Sequence, residues 1–263
     1  MDLATYASRI GYPGVFAPTL ETLREVHLAH ATHIPFENLD ILLGRPIRLD
    51  QDSLWRKLVE DKRGGYCFEQ NALFAAVLEV CGFQVTRLAA RVHVGASGVR
   101  PRSHMLLMID LNGEKSIADV GFGGEGLLYP IPFVLNQVVS HFAWKYRIVT
   151  EGSAYVLQSQ RPEGWLDLYS FTLEEQHPVD YEVSNYYTST NPNSIFVRMP
   201  TVQLPGANRR LALLDRKLIE RTPEGTSETL LSGDDVLLNV LAERFSLRFP
   251  AGMRFRSADA AAG

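Results

Sequence analysis

Of the two cysteines in the 263-residue chain, Cys67 and Cys81, only the first has the neighbours a nucleophile requires. It follows Arg63-Gly64-Gly65-Tyr66 and precedes Phe68-Glu69-Gln70-Asn71. The two glycines permit a tight backbone turn, and the cysteine stands immediately before a stretch with helical spacing. A cysteine at a helix N-terminus meets unpaired N–H groups and the positive end of the dipole, which favour the thiolate, and Arg63 adds positive charge nearby. Cys81, on the apolar face of the same stretch, reads as a small buried hydrophobe, the commoner fate of a cysteine. Cys67 rises above that reading only if the chain also supplies it with a base.

A thiol nucleophile needs a base, and the base needs an orienting acceptor. Asn112-Gly113 is the strongest hairpin signal in the sequence, because a type I′ turn requires positive φ at both central positions. With a two-residue loop, Leu111 faces Glu114. Counting outward puts His104 opposite Gly121 and diagonal to Asp119 on the same face. Diagonal pairs lie about 7–8 Å apart between backbones, within reach of an imidazole and a carboxylate, and the small Gly121 leaves room for the ring. The competing reading is a histidine satisfied by a strand neighbour and an aspartate facing solvent. His93, on the preceding strand, is a second candidate base, but the register gives it no tie to Asp119.

Two further patterns point elsewhere. His27, His30 and His33 recur every third residue on a helix, a spacing that can gather metal ligands, yet no glutamate completes a zinc-protease motif, and no metal is expected. Gly121-Phe122-Gly123-Gly124-Glu125-Gly126 resembles a phosphate-cradling loop. It lacks the Lys-Ser/Thr ending of a nucleotide P-loop, opens no clear helix and carries the misplaced charge of Glu125.

Behind these residues the periodicity changes once. Leu20, Leu23 and Val26, then Leu54, Leu58 and Val59, then Leu73, Phe74, Val77, Leu78 and Cys81 have helical spacing, with Gly82 as a stop, so about the first 82 residues are helical. Short β-type runs follow: 85–94, 105–110, 117–120, 145–150, 154–158 and 165–171. A second hairpin joins 211–214 to 217–221, and Ser232-Gly233-Asp234-Asp235 caps a helix carrying Val236, Leu237, Val240, Leu241 and Phe245.

Hydrophobic residues make up 46% of the chain and charged residues 21%, enough to build a core without staples, so only the small-residue tail 257–263 is expected to fray. Lys and Arg number 26 against 30 Asp and Glu, a net charge of −4 with no block of like charges, which excludes a nucleic-acid or anionic-membrane footprint. Fourteen helical residues would separate the cysteines by roughly 20 Å, too far for a disulfide. With no leader-like N-terminus and no long apolar run, the expectation is a soluble cytoplasmic protein.

Taken together, Arg63-Gly64-Gly65-Tyr66-Cys67-Phe68-Glu69, Pro101-Arg102-Ser103-His104 and Ala118-Asp119-Val120-Gly121-Phe122-Gly123 resemble the three signature blocks of the arylamine N-acetyltransferases. Ile34-Pro35-Phe36-Glu37-Asn38-Leu39 and Tyr187-Thr188-Ser189-Thr190-Asn191-Pro192 extend the resemblance over about residues 1–200. It implies an α+β fold with a cysteine-protease-like Cys-His-Asp core. The parts would be a helical bundle over 1–82 carrying the nucleophile, a β-barrel-like domain over 83–195 carrying His and Asp, and an α/β lid over 196–263.

By the same resemblance Cys67 accepts the acetyl group, His104 is the base and Asp119 holds the imidazolium. The reaction is ping-pong transfer from acetyl-CoA, a co-substrate, to an aromatic amine or hydrazine, with no permanently bound cofactor. Phe36 and Phe122 would wall the acceptor pocket, and Gly123, Gly124 and Gly126 would meet the CoA phosphates through backbone donors. A homodimer is compatible with this reading. Competing functions are an amide synthase or other acyl-CoA transferase on the same fold, a papain- or transglutaminase-like thiol hydrolase, and a non-catalytic binding module that keeps the scaffold.

Overall fold

The computed structural model describes residues 1–255; the tail expectation for 257–263 lies outside them. The chain opens with α1 (Leu3–Ile10) and α2 (Leu20–His33), then β1 (Phe36–Glu37), α3 (Leu39–Leu42), α4 (Gln51–Trp55) continued by a π-helical turn over Arg56–Glu60, and α5 (Cys67–Val80). The strands β2 (Gln84–Val92), β3 (His104–Leu111), β4 (Glu114–Ala118), β5 (Ile131–Pro132), β6 (Val139–His141), β7 (Trp144–Glu151), β8 (Ala154–Arg161) and β9 (Gly164–Phe171) follow. The last third holds α6 (Pro178–Thr190), α7 (Ile195–Arg198), β10 (Thr201–Leu204), β11 (Arg210–Leu214), β12 (Lys217–Thr222), β13 (Gly225–Leu230) and α8 (Asp234–Phe245).

Strands β2–β9 form one eight-stranded sheet in the order β5-β4-β3-β2-β9-β8-β7-β6. It curls far enough that Leu135, past β5, bridges Ile148 on β7, so the barrel is nearly closed. The second sheet, β1-β10-β11-β12-β13, is antiparallel throughout. Its first strand, Phe36–Glu37, comes from the helical N-terminal part. Two residues carry no readable alternation, and their pairing with Val202 and Gln203 is long-range, so the sequence offered no sign of it.

The elements that carry the site follow from their residues. Helix α2 starts where the Thr19 side chain accepts the Thr22 N–H, and it buries Leu23, Val26, His27 and His30. Helix α5 buries most of its residues, polar Glu69, Gln70 and Asn71 included, and the chain leaves it through Gly82 at φ +89°. Strand β3 is covered on both faces. Met105, Leu107 and Ile109 join the helical core, whereas Leu106 and Met108 join the barrel core with Leu88, Tyr146 and Leu168. That double burial explains the nearly unbroken apolar run of its sequence.

The Asn112-Gly113 turn has positive φ at both residues, 56° and 88°, and Leu111 faces Glu114 as the loop length requires. The ladder ends at Leu107 opposite Ala118, so Asp119 and Gly121 lie beyond it. The second expected hairpin is β11–β12, with Leu214 opposite Lys217. Helix α6 escaped the sequence reading because the positions it buries, Tyr181, Asn185 and Thr188, are mostly polar, while Val179 and Val183 face solvent. Helix α8 starts at Asp234, after Gly233 in an extended conformation and without a side-chain cap. No described helix is long and apolar enough to cross a membrane.

Candidate active site

Cys67 is the first residue of α5 and is buried. The turn that delivers it is held by close approach rather than by left-handed backbone, since neither Gly64 nor Gly65 has positive φ. A Cβ on Gly64 would lie 2.1 Å from the Pro35 carbonyl oxygen, and one on Gly65 would lie 2.7 Å from Glu69 Oε2. The Gly65 carbonyl accepts the Glu37 N–H at 3.0 Å, which ties the turn to β1.

Buried charges brace this junction. Arg63 binds Glu37 at 2.6 Å and Asp40 at 3.2 Å, and Lys57 bridges Asp40 and Glu69. The second Glu69 oxygen accepts the Tyr66 N–H at 3.0 Å, capping α5. Burial pushes the Glu69 carboxyl up, while Lys57 pulls it back. Gln70 Nε2 donates to the Ile34 and Pro35 carbonyls, and its Oε1 meets His30 Nε2 at 2.7 Å.

His104 opens β3, and its Nε2 meets Asp119 Oδ2 at 2.7 Å with both side chains buried. The diagonal pairing expected from the hairpin is thus realised, although neither residue pairs across the β3–β4 ladder. The role of Gly121 differs from the expectation. Its missing side chain makes room for α5, because a Cβ there would stand 2.8 Å from Cys67 Cα and 2.7 Å from Asn71 Nδ2. The hairpin end and the start of α5 are thereby pressed together, so Cys67 and His104 share one site. The thiol points at the Ser103 carbonyl oxygen, 3.6 Å away.

Burial opposes charge on His104, but the Asp119 carboxylate and its hydrogen bond, with a smaller contribution from Cys67, raise the imidazole pKa to about 10. For Asp119 burial pushes upward. The imidazolium and the hydrogen bonds from Asn71 and Gly121 outweigh it and hold the carboxyl below its ordinary value. Such an arrangement can keep an imidazolium beside a sulfur nucleophile and exchange protons with it, the requirement for acyl transfer through a thioester.

The residues that complete the geometry had escaped the sequence reading. Asn71 Nδ2 donates to Asp119 Oδ1 at 2.9 Å and to the Met105 carbonyl at 2.7 Å, while its Oδ1 accepts the Val120 N–H at 3.1 Å. Helical spacing could have revealed it, since it lies one turn after Cys67 on the same face. His27 Nε2 accepts the Asp119 N–H at 3.1 Å, and the Tyr169 ring lies 4.9 Å from that of His104. The histidine spacing had marked His27 only as a potential metal ligand, and Tyr169 had no sequence signal.

Phe122 meets His104 edge-on at 5.2 Å, and Phe36, on β1 of the second sheet, packs on Phe196 at 5.6 Å. A Cβ on Gly123 would lie 3.3 Å from the Phe36 ring, so Phe36 and Phe122 flank that loop. Within the loop, the Gly124 N–H donates to Gln203 Oε1 at 2.6 Å and the Gly126 N–H to the Gly123 carbonyl at 2.8 Å. The Gly124 and Gly126 carbonyls take hydrogen bonds from Arg210, and Glu125 is neutralised by Arg161 and Arg221, each at 2.7 Å. These side chains line a cavity of about 330 Å³. A larger cleft of about 980 Å³ lies between the 44–51 segment, α5 and α6, and none of the three candidate catalytic residues lines it.

The other histidines have separate surroundings. His30 is bonded to Tyr6 and Gln70, and His33 Nδ1 meets the Ala29 carbonyl. Among the described residues no group of three or more His, Cys, Asp or Glu is placed to hold a metal ion. His93 Nε2 is buried without a hydrogen-bond partner and has no hydrogen bond to Cys67 or Asp119.

A family model described as N-acetyltransferase matches residues 19–253. The arylamine N-acetyltransferase of Escherichia coli (strain K12) is 45% identical over 192 residues, 73% of this chain and 68% of its own length. Among solved structures, that of Nocardia farcinica arylamine N-acetyltransferase matches with a TM-score of 0.89 at 40% identity, over 95% of this chain and 90% of that one. Mycobacterium marinum arylamine N-acetyltransferase in complex with CoA matches at 0.89 and 34% identity, over 93% and 92% of the two chains.

Proposed function

Because this chain belongs to the arylamine N-acetyltransferase family of acyltransferases, we propose that Cys67, His104 and Asp119 form its catalytic triad and carry an acetyl group from acetyl-CoA to an aromatic amine or hydrazine. The observation that carries this reading is the buried 2.7 Å contact between His104 and Asp119 beside a thiol at a helix start. The CoA bound by the Mycobacterium marinum relative supports acetyl-CoA as donor.

In the first half-reaction the Cys67 sulfur attacks the thioester carbonyl carbon. The carbon–sulfur bond to CoA breaks, and the departing CoA sulfur takes the proton of the His104 imidazolium. One thioester replaces another, so the step is close to isoenergetic, and the Cys67 N–H at the start of α5 is the donor we assign to the oxyanion. In the second, the amine nitrogen attacks the acetyl-cysteine and neutral His104 takes a proton from it. Expulsion of Cys67 sulfur then restores thiolate and imidazolium. Asp119, bonded to Nε2, leaves Nδ1 to face the sulfur in both.

Phe36 and Phe122 serve as apolar walls for the aromatic ring of the acceptor. The Gly123, Gly124 and Gly126 loop receives the CoA phosphates where Gly124 and Glu125 line the 330 Å³ cavity. Since the Gly124 and Gly126 amides are already bonded, the positive charge there is the excess of Arg161, Arg210 and Arg221 over the one carboxylate of Glu125.

Intact-protein mass spectrometry after brief mixing with acetyl-CoA, without amine, tests the mechanism. Wild type should gain one acetyl group and lose it on addition of an aromatic amine, and Cys67→Ala should gain none. A folded wild type that gains no acetyl group sinks the acetyl-CoA reading and directs attention to other acyl donors or to peptide thiol chemistry.

A further inference from the structure

We propose that His27 is a positioning residue for the triad, fixing the backbone of Asp119 so that its carboxylate meets His104. The inference rests on the catalytic reading above and adds to it a residue from a third element.

The argument begins where the β3–β4 ladder stops. Beyond Ala118 the N–H groups of Asp119, Val120 and Gly121 have no strand partner, yet Asp119 and Val120 are buried. A buried N–H without an acceptor is costly, so each must find one. All three donate to side-chain acceptors: Asp119 to His27 Nε2, Val120 to Asn71 Oδ1, and Gly121 to Asp119 Oδ1. Asn71 and the carboxylate itself orient the side chain of Asp119. His27, 92 residues away in sequence, is the partner that anchors its main chain to α2.

The state of the ring points the same way. To accept at Nε2 the imidazole must be neutral and carry its proton on Nδ1, which is buried near the Leu128 backbone without a hydrogen bond of good geometry. A leucine would fill this space with no ring nitrogen to leave unpaired, but the buried Asp119 N–H would lose its acceptor. Histidine bears the cost of Nδ1, and what it adds over leucine is that one acceptor aimed at Asp119. The ring is held edge-on against Phe74 of α5, 5.6 Å away, so it also keys α2 to the helix that starts at Cys67. The titratable groups that act on it are Asp119, His30 on its own helix and His141 on β6. Burial, the largest influence, lowers its pKa to about 4, which keeps Nε2 free to accept near neutral pH.

The test compares His27→Leu with His27→Gln, whose amide can place an oxygen near the position of Nε2. Steady-state kinetics are measured, together with the pH profile of Cys67 alkylation by iodoacetamide, read at that residue by peptide mass. Melting temperatures confirm folding, and His27→Met serves as the apolar variant if leucine is not accommodated. Loss of one buried hydrogen bond should lower kcat about tenfold, leave the KM for acetyl-CoA within about twofold and move the alkylation midpoint up by about one pH unit. His27→Gln should recover most of both effects. If the apolar variant and His27→Gln behave alike, or the alkylation profile of the apolar variant stays at the wild-type position, His27 is a packing residue and the inference fails. Should wild-type Cys67 take no acetyl group from acetyl-CoA, the mechanism above fails, while the alkylation profiles still decide the role of His27.

Discussion

At the residue scale the decisive interaction is between Asp119 and His104. Burial alone would leave this imidazole neutral, and the carboxylate reverses the balance, raising the pKa to about 10. Asp119→Asn keeps the shape and removes the charge, so His104 should be neutral at pH 7 and kcat/KM should fall by about 10³-fold, with Cys67 alkylation displaced to higher pH. The sign for stability follows from linkage. A pKa raised above the ordinary 6.5 means that the pair stabilises the fold fully below pH 6.5 and loses that contribution as pH climbs through about 10. The difference in melting temperature between wild type and Asp119→Asn, followed against pH, should shrink across that interval; a constant difference would show that the pair does not titrate there.

At the element scale the site depends on how closely the end of the β3–β4 hairpin approaches the first turn of α5. Gly121 permits that approach, since a Cβ there would collide with the Cα of Cys67 and with Asn71. Gly121→Ala should cost about 1–3 kcal/mol in overpacking. It should reduce turnover more than the lost stability explains, because the displaced atoms belong to Cys67, the proposed nucleophile. Gly113→Ala is the control: at φ +88° it strains the turn, costing roughly 1 kcal/mol, but open space surrounds it and activity should persist. Urea unfolding and steady-state kinetics on both variants separate the two effects. Equal turnover losses would remove the special role of the Gly121 contact.

For the whole molecule, the barrel and the helical core enclose histidines that have no acid or base role in the proposed triad. Burial lowers His27 to about 4 and His30 and His141 to about 3. In the unfolded chain each would titrate near its ordinary 6.5, so the unfolded state binds more protons between that value and the folded one. Their contribution to stability is therefore complete above pH 6.5 and is lost as pH falls toward 3. Denaturant midpoints should decline steadily from pH 7 to pH 4, and His141→Leu should flatten the decline. A midpoint independent of pH over that range would mean that these rings stay solvated or find other partners.

Local features were legible in the sequence wherever short-range rules are strict. Asn112-Gly113 specified a two-residue turn, the turn specified the register, and the register placed His104 near Asp119. The same held for Cys67 at a helix start and Gly82 at its end, because helix ends and tight turns are decided within a few residues. Other features needed the assembled chain. Helix α6 has no apolar stripe because the positions it buries are mostly polar. Strand β1 is two residues long and finds its partner in the last third of the protein. Gly64 and Gly121 are required by the approach of atoms distant in sequence, and Gly65 by the Glu69 side chain folded back on it, rather than by their own backbone angles. The protonation of His104, the anchoring of Asp119 by Asn71 and His27, and the enclosure of the site by Tyr169 likewise depend on burial and on contacts between elements. Spacing along a chain reports which residues are neighbours on one helix or hairpin; it carries no record of which helix packs against which strand, and that packing determines the charges and hydrogen bonds of this site.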